Sequence, residues 1–379
     1  MSGWGPMAAA AGTAGTAGTA GTAGTAGTAG TASPVIGLDG VMGMPGYSGL
    51  VPNTMLAMGL VLNRDLMLSG QVNLELGKPT VRAGAWDAAQ RDPIANLQSN
   101  VRVALAELEL VRKVAMSVPD THPVLSGPTK IISLPQLGKD HFVRGQLALV
   151  MSYADLRAER VNEIVSQVVP QTAYWAAMAA LLPERHRYTW ELLGAGLRFV
   201  MLMVMDFKRR LNVPRPHELS PLVQPILLTP GYSAFPSGHA SEAYFAAELL
   251  SILAAGDRVD DATITLETDA KSLCGQLHRL AFRIAENRVV AGLHYPIDSV
   301  AGQWLGVALA RWFVSRAGGV KVVPPLGALT FPEKPEQRLE LELDGRPPAS
   351  GDDPVAPEDD NAVLNWLWRR ARAEHGKTP

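Results

Sequence analysis

The sequence predicts an all-α helical bundle set between two tails of low order. Three observations predict it. Apolar residues recur at steps of three and four through most of residues 94–316, strand-like alternation is scarce, and residues 1–33 and 318–379 differ in composition from what lies between. Of the 379 residues, 47% are hydrophobic and 18% charged, so a sizeable core is expected.

Along the chain, residues 11–31 are seven tandem Ala-Gly-Thr triplets with no charge, no aromatic and no apolar face. Such a repeat buries too little surface to offset its ordering entropy, so residues 1–33 read as a flexible tail. Residues 34–139 read as an irregular and helical region. Its first part, 34–53, is rich in Gly and Pro; helices are expected over 55–67 and 94–117, the latter with a stripe of Leu97, Val101, Leu105, Leu108 and Val111. Residues 140–317 read as a helical domain with helices near 143–168, 171–182, 189–210, 239–255, 270–291 and 297–316. In the first of these, Leu147, Met151, Leu156 and Val161 form the expected stripe. Residues 318–379 read as a Pro-rich charged linker, with RLELELD at 338–344 able to pair locally. It ends in the amphipathic VLNWLWRRARAEHG, whose Trp366 and Trp368 dock on the body or meet a partner or membrane surface.

The totals exclude several classes. A net charge of −2 argues against a nucleic-acid partner and against electrostatic adhesion to anionic lipid. The one cysteine, Cys274, cannot form an intrachain disulfide, and no Cys/His cluster has zinc spacing. The uncharged stretches 40–63 and 164–183 are interrupted by Gly, Pro, Asn and Gln, so no transmembrane helix is expected. The N-terminus lacks the basic and apolar regions of a secretory leader, which leans toward the cytoplasm. Oligomeric state stays open.

Three clusters carry chemistry. In KRRLNVPRP, 208–216, Lys208 ends a helical run and Arg215 sits between Pro214 and Pro216, which favours an extended arm that aims one guanidinium. In PSGH, 236–239, Ser237 can cap the following helix, Gly238 lets backbone approach a ligand, and His239 falls in the first turn beside any anion held there. Taken alone, that stretch is an ordinary N-cap before a surface histidine. In NRVVAGLHYPID, 287–298, a helix bearing Arg288 should stop near Gly292, Pro296 can open the next, and Asp298 can orient the His294 ring. Glu242, on the turn after His239, can tune that imidazole or form a salt bridge. His278, Arg279 and Arg283 form a solvated helix face or a wider basic rim.

Together these clusters resemble the signature of the type 2 phosphatidic acid phosphatase and vanadium haloperoxidase superfamily: Lys, six residues, Arg-Pro; Pro-Ser-Gly-His; Ser-Arg, five residues, His, three residues, Asp. Lys208, Arg215, Pro216, Pro236, Ser237, Gly238, His239, Arg288, His294 and Asp298 match in order and spacing, and Asn287 stands where the family usually has serine. The departure bears on the support of Arg288. The resemblance covers roughly 140–317 and implies a helical bundle around an oxyanion. It implies that Lys208, Arg215, Ser237, Gly238 and Arg288 bind phosphate. His294 is the implied nucleophile that forms a phosphohistidine, His239 the acid and base, and Asp298 the orienting group. No metal or other cofactor is needed on that route, and the substrate is a phosphorylated small molecule or a lipid phosphate. In the haloperoxidases the same pocket holds vanadate, with the counterpart of His294 as vanadium ligand. Tyr232 can shape a halide site or pack as a turn aromatic, whereas the HYPID stretch leans toward the phosphatases. A non-catalytic oxyanion-binding protein is the third alternative.

Overall fold

The computed structural model describes residues 92–119, 123–128, 130–168, 171–255, 271–318 and 362–376. The Ala-Gly-Thr repeat, the helix expected over 55–67, the Pro-rich linker and the 338–344 strand lie outside the described residues. Residues 92–98 belong to a compact unit separate from the rest, and in it Asp92 Oδ1 accepts from the Ala95 N–H at 3.0 Å.

The described residues from 99 onward are mainly helical, as the all-α expectation holds. The helices are α1 (Ser99–Val111), α2 (Leu147–Ser152), α3 (Arg157–Ser166), α4 (Thr172–Ala179), α5 (Arg187–Leu211), the single-turn α6 (Pro216–Leu219), α7 (Gly238–Ala255), α8 (Leu273–Val290), α9 (Pro296–Gly318) and α10 (Ala362–Glu374). Helix α7 is central and packs on α9, α8 and α5. It is apolar on every side, with Ala243, Tyr244, Phe245, Ala246, Leu249 and Leu250 all buried, as a helix surrounded by helices must be. Close approach of α9 depends on small residues: a Cβ at Gly302 would stand 2.7 Å from the Ser237 carbonyl oxygen, and one at Gly306 would collide with the Ser241 carbonyl oxygen.

The expectations for the N-terminal part need correcting. Helix α1 ends at Val111, and Ala115–Ser117, expected to be its last turn, is a strand β1. It pairs antiparallel with β2 (Val124–Ser126), which pairs with β3 (Lys130–Ser133). Burial of Leu125, Ile131 and Ile132 outweighs the local helical pattern. The expected stripe of α1 also faces the wrong way: Val101, Leu105 and Leu108 are exposed, and Arg102, Val103, Ala106 and Leu110 are buried. Burying Arg102 is possible because Glu191 of α5 receives it bidentately, at 2.7 Å from Nε and 2.6 Å from NH2. The continuous helix expected over 143–168 is instead a π-helical turn (His141–Gln146), α2, a 3-10 turn (Tyr153–Leu156) and α3. Its expected stripe fails likewise, with Met151 and Val161 exposed while Leu149, Val150 and Ile164 are buried.

Helix α10 docks on α5, α1 and α9, so the tryptophan segment packs back on the body, and Trp366 and Trp368 are buried. Carboxylates tie both of its ends. Glu109 of α1 accepts from the Val363 and Leu364 N–H groups at 3.0 and 2.9 Å. Glu374 accepts from Tyr188 and Thr189 N–H at 2.7 and 2.8 Å, capping α5. Each places negative charge at a helix N-terminus, where the dipole and the free N–H groups favour it. No described helix is long and apolar enough to cross a membrane.

Candidate active site

The three clusters converge on one cleft at the ends of α5, α7 and α8. Its wall includes Lys208, Arg215, Gly238, His239, Glu242, Arg288 and His294, with Met201, Val204, Met205, Leu227 and Tyr232 on the apolar side.

Helix α5 ends at Leu211, Asn212 follows with a left-handed φ of 44°, and Arg215 is extended at φ −72° and ψ 155°. The proline-flanked arm therefore forms as the sequence predicts. Arg215 Nε donates to the Tyr232 carbonyl at 3.0 Å, and NH1 donates to the Leu293 carbonyl at 3.0 Å and to His294 Nε2 at 3.2 Å. Lys208 Nζ donates to the carbonyls of Ser233 and Ala234 at 2.6 and 2.9 Å. Tyr232 lies against both cations, its ring centroid 5.4 Å from Lys208 Nζ and 5.2 Å from Arg215 Cζ, a cation–π arrangement.

The Phe235–Pro236 bond is cis and leads into α7. Ser237 Oγ accepts from the Ala240 N–H at 3.4 Å, the capping expected of it, and Ser237 N–H donates to the Asp298 carbonyl at 2.9 Å. Gly238 and His239 line the cleft; Ser237 is fully buried behind it.

Helix α8 stops at Val290, and Gly292 follows at φ 80°, so the chain turns where a glycine was expected to turn it. Pro296 opens α9, and the Gln146 side chain caps that helix through the Ile297 N–H at 2.9 Å. His294 Nδ1 lies 3.0 Å from Asp298 Oδ2, which also accepts from the Tyr295 N–H at 2.9 Å. A guanidinium only donates, so Nε2 of His294 must accept from Arg215, and the ring proton sits on Nδ1 toward Asp298.

Arg288 is fully buried. Its NH2 donates to the Ile164 carbonyl at 2.9 Å and to Gln167 Oε1 at 3.1 Å, whereas Nε and NH1 have no hydrogen-bond partner among the described residues. Asn287 donates to the same Gln167 Oε1 at 3.0 Å, so the residue standing for serine braces Arg288 through Gln167. Gln167, Ile164 and Arg157 escaped the sequence reading. Arg157 ties the loops of the site by donating to the Val290, Gln224 and Val223 carbonyls at 2.8, 2.8 and 2.9 Å. A buried glutamine beside a helix end carries no motif; only its polarity inside an uncharged stretch hints at it.

Of the two readings of His278, Arg279 and Arg283, the wider basic rim is not formed, and the solvated face holds for Arg279 but not for His278. His278 is buried, 3.1 Å from Glu248, and Arg283 pairs with Glu163 at 2.9 Å; neither lines the cleft, and Arg279 is exposed.

Electrostatically, this is a dry site crowded with positive charge. Burial, then Arg288, with Arg215 and Lys208 adding to it, pulls His239 down to about 3, against a hydrogen bond to the Gln167 backbone. Burial, followed by Arg215 and Lys208, holds His294 well below the ordinary histidine range, so its imidazole is neutral. Burial also lowers Lys208 and Arg215, and brings Arg288 down to about 10. It pushes Asp298 up, and it pushes Glu242 up to about 8 against the pull of Lys208. Converging cations with two neutral imidazoles can hold an oxyanion, and the anion's charge would restore proton affinity to both rings.

Residues 173–318 match the model of the PAP2 superfamily, and all ten motif residues fall within them. The match agrees with the resemblance carried by the three clusters and supports phosphatase-type activity in general. Ile164 and Gln167, which brace Arg288, precede the matched stretch. No curated protein matches the chain.

Proposed function

We propose that the chain is a metal-independent phosphatase that hydrolyses a phosphate ester through a phosphohistidine on His294. The observation that carries this reading is Arg288, buried with Nε and NH1 unpartnered, in the same cleft as the lone pair of His294 Nε2. Lys208, Arg215, Arg288 and the Gly238 N–H would receive the nonbridging oxygens. As Arg215 NH1 turns from His294 Nε2 to a phosphate oxygen, neutral His294 attacks phosphorus through the freed Nε2 lone pair while the ester P–O bond breaks, and Asp298 stabilises the positive charge that develops on the ring. His239, its proton affinity restored by the substrate's charge, protonates the leaving alkoxide. It then takes a proton from the water that displaces His294. The apolar wall of Met201, Val204, Met205 and Leu227 suits an apolar stem on the leaving alcohol, within the class of phosphorylated small molecules and lipid phosphates.

The vanadium haloperoxidase reading draws on Tyr232, which lies in the cleft against Lys208 and Arg215. The residues present also fit vanadate: Lys208, Arg215 and Arg288 would hold its oxygens and His294 Nε2 would ligate it. When bound, vanadate supplies peroxide activation for halide oxidation.

One preparation assayed two ways separates the readings. The phosphatase hydrolyses an aryl phosphate in the presence of chelator, is inhibited by vanadate, and loses turnover as His294→Ala. Bromination with vanadate and peroxide, without phosphate release from a broad ester panel, overturns the phosphatase reading in favour of the haloperoxidase. Sulfate or phosphate binding with neither activity overturns both and leaves an oxyanion-binding protein.

A further inference from the structure

The cleft contains one acid that the proposed chemistry does not use. Glu242 lies on α7, on the turn after His239, in the wall that also holds Lys208, Arg288 and His294. It is partly exposed to the cleft and makes no hydrogen bond or ion pair among the described residues, although it lies within electrostatic reach of Lys208. A carboxylate here is out of keeping with the rest of the wall. In its ionised form it opposes any anion that Lys208, Arg215 and Arg288 attract. In its neutral form it is an O–H donor in the wall of the same cleft.

Resting on the oxyanion reading of the cleft, we propose that Glu242 is a proton-dependent selectivity residue: as the neutral acid it donates a hydrogen bond to the bound oxyanion, and as the carboxylate it weakens binding of that anion. Around the cleft with it stand Lys208 on α5, His239 on α7, Arg288 on α8, Arg215 and Tyr232 on the intervening loops and His294 before α9. Of these, Lys208 is the charge that acts on Glu242 directly, and it favours the carboxylate; burial favours the acid and prevails. Both histidines are held low in the empty cleft, and any proton they regain with the anion is common to the parent and to Glu242→Gln, so the difference between the two slopes belongs to Glu242. Glu242 therefore contributes to the alkaline limit of anion binding beside Lys208, whose charge burial also makes easier to lose, and the cleft takes up a proton at Glu242 when a dianion enters from alkaline solution.

The test uses sulfate, whose charge does not change between pH 6 and 10, so the proton linkage read belongs to the protein. Calorimetric titration of the full chain with sulfate should show affinity falling roughly tenfold as pH rises from about 7 to about 9.5. Glu242→Gln keeps a donor and cannot ionise, and its affinity should fall clearly less steeply than the parent's across that range, the remaining slope coming from Lys208. Glu242→Ala should bind more weakly than the parent at pH 6 and lose the same pH dependence. If the Glu242→Gln protein follows the parent's slope, the inference is overturned while the oxyanion reading stands. If the parent binds no sulfate at any pH, the oxyanion reading falls and this inference with it. Circular dichroism of each variant establishes that the fold is intact before the slopes are compared.

Discussion

His294 Nδ1 lies 3.0 Å from Asp298 Oδ2, while the other carboxylate oxygen of Asp298 is buried without a partner among the described residues. The pair sits one helical turn apart at the start of α9, so the geometry follows from Pro296 opening that helix. Asp298→Asn keeps an oxygen able to accept from the Nδ1–H and from the Tyr295 N–H but removes the charge. Turnover of an aryl phosphate should drop by about 10²- to 10⁴-fold, as when an orienting carboxylate is neutralised beside a catalytic imidazole. Unfolding curves should stay close to the parent's. Unchanged turnover in a folded variant would falsify the orienting role.

Gln167 tests the bracing of Arg288. In Gln167→Ala the guanidinium keeps the Ile164 carbonyl but loses Oε1, and Asn287 Nδ2 loses its acceptor. The site then has a looser cation. KM should rise about tenfold with a smaller loss in kcat, because the lost interaction positions a group that binds the ground state as well. Stability should fall by about 1–3 kcal/mol from the buried amide left unpaired. A stability loss without any change in KM would assign Gln167 a structural role alone.

The pH dependence of stability should have two opposed limbs. The folded His239 titrates at about 3 against an ordinary 6.5, so between these values the unfolded chain binds a proton that the folded chain refuses. Stability should therefore fall as pH drops from about 6.5 toward 3, and less steeply in His239→Asn. Glu242 titrates at about 8 in the folded chain against an ordinary 4.5, so the folded chain retains a proton that the unfolded chain releases. Stability should fall as pH rises through that window. Urea midpoints at pH 9 should be higher for Glu242→Gln than for the parent, with the gap closing near pH 4.5. Parallel limbs in parent and variant would exclude these groups as the cause.

Gly306 tests the fit of α9 on α7. A Cβ there would run into the Ser241 carbonyl oxygen and stand 3.0 Å from the Phe245 N, both backbone atoms that cannot swing aside. Gly306→Ala should cost about 1–3 kcal/mol in chemical denaturation, in spite of alanine's better helix propensity. The same displacement would shift Asp298 relative to Ser237, so turnover should fall with stability. An Ala variant as stable as the parent would mean that α9 can move outward without strain.

The cluster residues, their spacing and the helix boundaries around them were legible in the sequence, because each depends on local rules. Pro214 and Pro216 extend the arm of Arg215, Ser237 caps α7, Gly292 ends α8 and Pro296 starts α9. The expected stripes of α1 and of the 143–168 segment turn outward because periodicity gives a helix its faces but not the face that meets the core. Arg102 chose that face in α1, through Glu191, a partner 89 residues away. The sequence by itself determined the family resemblance, the helical character and the order of the motif residues. Tertiary structure alone decided that Gln167 braces Arg288, that Lys208 faces two backbone carbonyls, and that Glu242 opens into a cationic cleft. Those relations join residues far apart in the chain, and the dry interior that changes their proton affinities exists only once the helices have packed.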